Sequence, residues 1–590
     1  MASHSLKAFV ASAFLLISEG LAQSTNETVW SSFSYILYGE RTPLQGQLTP
    51  SLTPLGAQQL YAQGALYRAR YLSPNANLSA EENAITTNSP IQGIELQALD
   101  NSQLSVYSTT DDYVVGGALA FLQGLYPPVT RTFASDNGGE NASTLANGTM
   151  IDYPLDGYQY PNILTIPVTD MSSVWLEGHA ACAEYWQSSN DFRDSSIGQQ
   201  AYNSTLNFYE TTFAEVFPNA IASSMLNFNY AYDLYDYAQY QYDHNAIAQQ
   251  LLNVDRLAIL RSLASVQQFD LNGNLSASGT SEGDMIRAIA GRTLAARAVA
   301  QLSAHIHSGG TANKMSLLFG SFEPLLAFFA LSNLSTTTSS GLFRQIPLPG
   351  SAMVFELFST TDDTTTYPSE AELYVRFLYR NGTDAQAPLM EYPLFGRGNS
   401  ETRMRWADFQ DSVAEFSIQD ISQWCSLCGS VTLFCNALTE DSGTTGSGTV
   451  GSVGAGAGAT ASVSPAVAGV IGALTTVAVL LVAGLAAFVF GGLRIRRNGA
   501  AEADKRHSSL GGFKGAEKMA SDHDVSIART GVRHERVGSW ELGGPGPVTV
   551  PPPAATAKGA SSGFFGASIK REEDEESILG AKPVDPVERV

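Results

Sequence analysis

Two spacings in the chain have the form of a ligand set. His305-Ile306-His307 sets two imidazoles two positions apart, and Cys425-Ser426-Leu427-Cys428 sets two thiols three positions apart. On a strand the two histidines would share a face and hold a metal. The run from Ile286 to Ile306 has a helical period, however, and stops before Gly309-Gly310. The pair is therefore expected in the last turn of a helix, where cations suit the dipole. The cysteine pair is a zinc half-site in a reducing compartment and part of a disulfide set in an oxidising one. With Cys182 and Cys435 the chain has four cysteines, which admit three pairings. Cys428–Cys435 with Cys182–Cys425 is the expected choice, since a close loop and a long-range staple each remove chain entropy from the unfolded state. His179 and His244 stand alone and are expected as packed or surface residues. No cofactor is implied.

The compartment follows from the ends of the chain. Lys7, an apolar stretch over residues 8–17 and small residues at Gly20 and Ala22 have the form of a secretory signal over residues 1–22, with a mature start near Gln23. Residues 466–490 carry no charge and span about 37 Å as a helix, enough for a tilted membrane crossing. Arg494, Arg496 and Arg497 follow directly, which puts the C-terminus in the cytosol. The sequons Asn26, Asn77, Asn141, Asn147, Asn203, Asn274, Asn333 and Asn381 all precede that segment. A type I glycoprotein is expected, at the plasma membrane or in another secretory or endomembrane compartment, with the lipid bilayer as one partner. A net charge of −23 argues against nucleic acid, whose phosphates need a basic face.

Between signal and span, residues 23–441 have the mixed composition of a large domain with its own core. Residues 442–465 are almost all small and polar and form a stalk, while residues 491–590 have the composition of a disordered tail. Within that tail Asp574-Glu-Glu-Ser-Ile578-Leu579 resembles the acidic dileucine signals read by sorting adaptors. In the domain, Phe33 to Leu37, Leu104 to Tyr107 and Ser316 to Phe319 read as strands. Leu55 to Tyr71, Val114 to Leu122 and Pro324 to Leu331 read as helices that follow them. Recurring strand–turn–helix units predict an α/β fold with a mainly parallel sheet flanked by helices. Residues 180–308 are helical in pattern and predict an inserted cap.

The turns after those strands hold the remaining candidates. The first reads Leu37-Tyr38-Gly39-Glu40-Arg41-Thr42-Pro43, followed by Leu52-Thr53-Pro54-Leu55-Gly56. The second reads Ser108-Thr109-Thr110-Asp111-Asp112-Tyr113 and runs on to Gly124-Leu125-Tyr126-Pro127. The third reads Phe319-Gly320-Ser321-Phe322-Glu323. In this order, with Gly157-Tyr-Gln-Tyr-Pro161 and Val354-Phe-Glu-Leu357, the blocks resemble the histidine phosphatase superfamily. The similarity is to its branch of histidine acid phosphatases and phytases, of fungal type, with a phosphoglycerate mutase-like fold. In that family the blocks read Arg-His-Gly-x-Arg-x-Pro, Leu-Thr-x-x-Gly, Ser-Thr-x-x-x-Arg and His-Asp.

The resemblance implies a fold and withdraws a chemistry. Family members attack phosphorus with a histidine, hold the phosphoryl oxygens with arginines and a second histidine, and protonate the leaving group from an acid. At the matching positions this chain has Tyr38 for the nucleophile, Leu37 and Tyr113 for two arginines, Ser321 for the second histidine and Phe322 for the acid. Arg41 alone among these keeps the family identity. Two functions are left: a pseudophosphatase ectodomain that binds an extracellular ligand, senses or builds surface, or an acid phosphatase or phytase-like hydrolase with a non-standard site, in which Arg41 and Glu323 contribute. Arg41, without a phosphate partner, is expected beside a replacement carboxylate, Glu323 first and Asp111 or Asp112 next.

Overall fold

The computed structural model describes residues 27–73, 86–135, 138–337, 340–361 and 366–442. The expected signal, Asn26, Asn77, the stalk beyond residue 442, the membrane segment and the tail lie outside the described residues. Among the described residues no helix is long and apolar enough to cross a membrane.

Strand β1 (Thr28–Leu37) is rich in β-branched and aromatic residues and is buried at every position, which only a strand covered on both faces tolerates. Helix α1 (Pro54–Tyr67) starts where Thr53 Oγ1 accepts from Gly56 N at 3.0 Å and Pro54 opens the first turn. There follow β2 (Leu104–Thr109), α2 (Asp112–Leu125) and β3 (Leu164–Ile166). The helical insertion comprises α3 (Ala183–Asp194), α4 (Ser196–Val216), α5 (Ala231–His244) and α6 (Ala246–Gly273). Helix α7 (Ile289–His307), β4 (Met315–Gly320) and α8 (Glu323–Leu331) return to the sheet, and β5 (Ala352–Ser359) and β6 (Leu373–Arg380) extend it. Short strands β7 (Met390–Tyr392) and β8 (Arg403–Arg405) precede α9 (Trp406–Ala414), α10 (Ile421–Cys428) and α11 (Leu433–Ser442).

The sheet order is β3-β2-β4-β1-β5-β6-β7, with β8 also on β6. Pairings from β3 to β1 are parallel, as the strand–turn–helix units require, and those from β1 through β5 and β6 to β7 and β8 are antiparallel. The sheet is thus mixed, and its antiparallel part was not anticipated. The expected cap also ends earlier than residue 308, because α7 packs on β1 and α8 and so belongs with the sheet.

Both disulfides form between partners other than those expected: Cys182 with Cys428, and Cys425 with Cys435. Cys425 and Cys428 share α10, whose middle packs on α11 and whose C-terminal end meets the start of α3. Cys425 therefore reaches Cys435, and Cys428 reaches Cys182, the N-cap of α3. Sequence proximity favoured Cys428–Cys435. Helix geometry sets the outcome.

Candidate functional site

Parallel strands β2, β4 and β1 lie side by side, with Leu37 level with Gly320 and Ser108 level with Phe319. Their C-terminal ends therefore bring together the turns that carry Tyr38, Tyr113, Ser321 and Phe322, the edge at which open α/β sheets form sites. Two glycines hold the first turn against α1. A Cβ on Gly39 would lie 2.3 Å from Gly56 O, and one on Gly56 would lie 2.0 Å from Glu40 O. This close approach aims Tyr38 and Arg41 into a cavity of about 230 Å³, lined also by Leu37, Tyr232, Asp236, Phe322 and residues 346–349.

Arg41 is 5% exposed. Its Nη1 donates to Asp236 Oδ2 at 3.0 Å and to Thr42 O at 3.1 Å, while Nη2 lies 3.4 Å from the Tyr38 hydroxyl and 3.3 Å from that of Tyr232. The two phenols are 3.1 Å apart. The guanidinium carbon sits 5.2 Å from the centre of the Tyr38 ring and 5.4 Å from that of Tyr113, and these two rings meet edge to face. Phe322 is buried with its ring centre 4.9 Å from that of Tyr232. Where the family resemblance implies a phosphoryl group among cations, one guanidinium is enclosed by a carboxylate and aromatic rings. Burial pushes the Tyr38 phenol above its ordinary value, and neighbouring Arg41 only partly offsets this. Tyr38 is therefore a neutral hydroxyl at neutral and acidic pH.

The carboxylate beside Arg41 is Asp236, a correction to the expected Glu323, Asp111 or Asp112. Asp236 sits on α5, which the insertion folds over the end of β1. Its Oδ2 also accepts from Leu44 N at 2.8 Å and ties cap to turn. No motif marks a residue so distant in sequence. A signal existed in the stretch Tyr232-Asp233-Leu234-Tyr235-Asp236, where Tyr232, Tyr235 and Asp236 recur at helical spacing and give one face that lines the cleft. Asp111 instead takes the Thr109 hydroxyl at 3.2 Å.

Glu323 faces a second cluster. Its Oε2 and the Ser321 Oγ are buried without hydrogen-bond partners among the described residues. Glu177, at the end of the short helix Val174–Glu177, is pushed up to about 7 by burial first and then by the Glu323 carboxylate. Since its pKa is raised on folding, this group favours the fold below its unfolded pKa near 4.5, and that contribution is lost as pH rises through 7. Glu177→Gln should leave stability unchanged at pH 4 and increase it at pH 8 by up to about 3 kcal/mol. Urea unfolding at the two pH values measures this, and equal midpoints for both proteins at pH 8 would refute the coupling.

The histidines take no part in the cleft floor. His305 is buried, its Nδ1 2.8 Å from Ala312 O, and burial pushes it down to about 4. It is a neutral packed residue, not the helix-end cation expected, whereas His307 is exposed with Nδ1 2.7 Å from Ser303 O. His179 is buried against Tyr185, and His244 pairs with Glu40 at 3.0 Å. Among the described residues no group of three or more His, Cys, Asp or Glu is placed to hold a metal. Of the described sequons, Asn141, Asn147, Asn203 and Asn333 are exposed, while Asn274 and Asn381 are partly buried.

The parallel sheet edge, the turn between β1 and α1, and the cap over them define a phosphatase-type α/β cleft. The chain belongs to the histidine phosphatase superfamily (branch 2), whose family model matches residues 7–380. Among solved structures it is similar to the phytase of Citrobacter braakii at 14% identity and a TM-score of 0.41, covering 67% of this chain and 99% of that one. The phytase of Klebsiella sp. ASR1 is similar at 10% identity and 0.41, covering 67% and 97%. The multiple inositol polyphosphate phosphatase of Bifidobacterium longum, in complex with inositol hexasulfate, is similar at 12% and 0.40, covering 66% and 93%. No curated protein matches.

Proposed function

We propose that this is a membrane-displayed glycoprotein whose phosphatase-like ectodomain binds a ligand and does not hydrolyse phosphomonoesters. The Arg41–Asp236 pair carries the proposal. An arginine whose charge is met within the protein has little left for a phosphoryl oxygen, and Leu37, Tyr113, Ser321 and Phe322 supply no replacement. Charge around the cleft points the same way. Glu40, Asp236, Asp243 and Asp384 line it, and Arg41 is the one Lys or Arg among the described lining residues. A polyanionic ester would meet net repulsion there. Tyrosines, prolines and amides on the wall suit an uncharged or cationic ligand of small size.

Residues 23–441, secreted and purified, should hydrolyse p-nitrophenyl phosphate and phytate no faster than buffer between pH 3 and 7. Loss of a nucleophile alone removes about a million-fold of kcat in other hydrolases, so residual turnover should be undetectable. Turnover abolished by Tyr38→Phe would establish the phenol as a nucleophile and the chain as an enzyme.

The membrane anchor rests on residues 466–490 and the arginines after them. In sealed vesicles a C-terminal epitope should be cut by protease added from the cytosolic side, with every glycan on the protected part. A protected epitope would reverse the topology. Sorting adaptors are proposed as cytosolic partners through Ile578-Leu579, whose double alanine substitution should shift the protein towards the cell surface. An unchanged distribution would dismiss them.

A further inference from the structure

A second cavity, of about 660 Å³, lies outside the cleft, between the last turns of α6 and residues 341–345. Phe269, Asp270, Asn274, Leu275 and Arg344 are in its wall. Asn274 is the C-cap of α6 and the acceptor position of Asn274-Leu275-Ser276. Its Oδ1 accepts from Ser276 N at 3.1 Å and from Ser276 Oγ at 2.7 Å, which fixes the amide plane. The Nδ2 makes no hydrogen bond among the described residues. Asn274 is partly buried in the wall of this cavity, whereas Asn203 lies on the exposed face of α4. A sugar attached at Asn274 has this cavity directly beside it.

We propose that Asn274 carries an N-linked glycan whose two core N-acetylglucosamines are seated in this cavity. The volume falls within the roughly 300–1,000 Å³ that holds a drug-sized ligand, and the core disaccharide is of that size. Phe269 offers an apolar surface for a sugar face. Arg344, held with its guanidinium carbon 4.9 Å from the centre of the Phe269 ring, and Asp270 offer a donor and an acceptor to hydroxyl and acetamido groups. Attachment occurs on the unfolded chain in the secretory pathway. The Asn274 amide nitrogen displaces the pyrophosphate of a lipid-linked oligosaccharide from C1 of its first sugar, a C–N bond replaces the C–O bond, and the amide gives up one proton to the transferase. The domain then folds around the sugars already in place.

The inference rests on the lumenal orientation proposed above, and the test separates the two. Full-length protein made in a eukaryotic host that leaves high-mannose glycans is treated with endoglycosidase H, which cuts between the two core sugars, and its glycopeptides are quantified. Asn274 should be occupied. In the native protein it should be trimmed at least about tenfold more slowly than Asn203, since local opening must precede cutting, and the two should be equal after denaturation. Phe269→Ala should bring the native rate at Asn274 up towards that at Asn203. Asn274 bare while Asn203 is occupied, or equal native rates at the two sites, would overturn the seated glycan alone. No glycan at any sequon would overturn the lumenal orientation and the seated glycan together.

Discussion

Asp236→Leu should destabilise the ectodomain by about 3–5 kcal/mol, because it strips the carboxylate from a buried guanidinium and leaves the charge uncompensated. Arg41, at the wall of the cleft, regains little water: it is 5% exposed, and its Nε has no partner even with Asp236 present. The phenols of Tyr38 and Tyr232 accept from Nη2 but carry no charge to offset it. The double variant Arg41→Met/Asp236→Leu should regain most of the loss, since apolar side chains of similar volume replace a buried pair at little net cost. Guanidinium chloride unfolding of the four proteins gives the coupling as a double-mutant cycle, expected at about 2–3 kcal/mol. Additive losses would show that the pair is solvated and that Arg41 remains open to an anion. Asp236→Asn gives the functional counterpart. With the carboxylate removed and a hydrogen-bonding side chain kept, Arg41 should acquire a weak affinity for sulfate or phosphate that the unaltered domain lacks, seen by calorimetry. Equal affinities in the two proteins would mean that the aspartate does not mask an anion site.

The fate of the family site was legible because each lost group sits at a fixed offset from a strand end. Tyr38 follows β1, Tyr113 opens α2, and Ser321 and Phe322 follow β4, so a motif read along the chain already describes neighbours in space. Asp236 and Tyr232 were not legible in that way, because they reach the site from a cap that joins the sheet only through tertiary packing. The same limit explains the disulfides. Cys425 and Cys428 are close in sequence, but the turn of one helix sends them to different partners. Strand β6, Leu373-Tyr-Val-Arg-Phe-Leu-Tyr-Arg380, is hidden in the sequence for a different reason: Arg376 and Arg380 break the apolar pattern of a core strand. Both arginines are buried, at 4% and 3% exposure. Their partners, Glu356 for one and Gln63 for the other, lie on other elements.

Glu356→Leu should cost at least about 5 kcal/mol and abolish secretion of folded protein at 37 °C, the largest effect expected of any single change here. Glu356 lies in the middle of β5 with no exposed surface, and it is held by three residues. Arg70 donates from Nε at 2.6 Å and Nη2 at 3.0 Å, Arg376 from Nε at 2.5 Å, and the Tyr71 hydroxyl at 2.6 Å. Arg376 has a second carboxylate in Glu27, at 2.7 Å, and would survive the loss. Arg70 would not, since its other partners are the hydroxyls of Thr86 and Thr87 and the Thr87 carbonyl, none of them charged. Arg70 and Tyr71 directly follow α1, so the cluster pins to the sheet the helix whose first turn positions Arg41. Burial by itself would raise the Glu356 pKa, but the guanidiniums of Arg376 and Arg70 more than reverse this and hold it down at about 2. Because the folded value is depressed, the carboxylate's contribution is present above its ordinary value near 4.5 and is lost as pH falls towards 2. Glu356→Gln keeps the shape and two hydrogen-bonding atoms while removing the charge. It should unfold at lower denaturant than the unaltered domain at pH 6, with the gap closing by about 3 kcal/mol as pH approaches 2. A gap that stays constant over that range would assign the cost of the Gln variant to hydrogen-bond geometry and not to the ion pair.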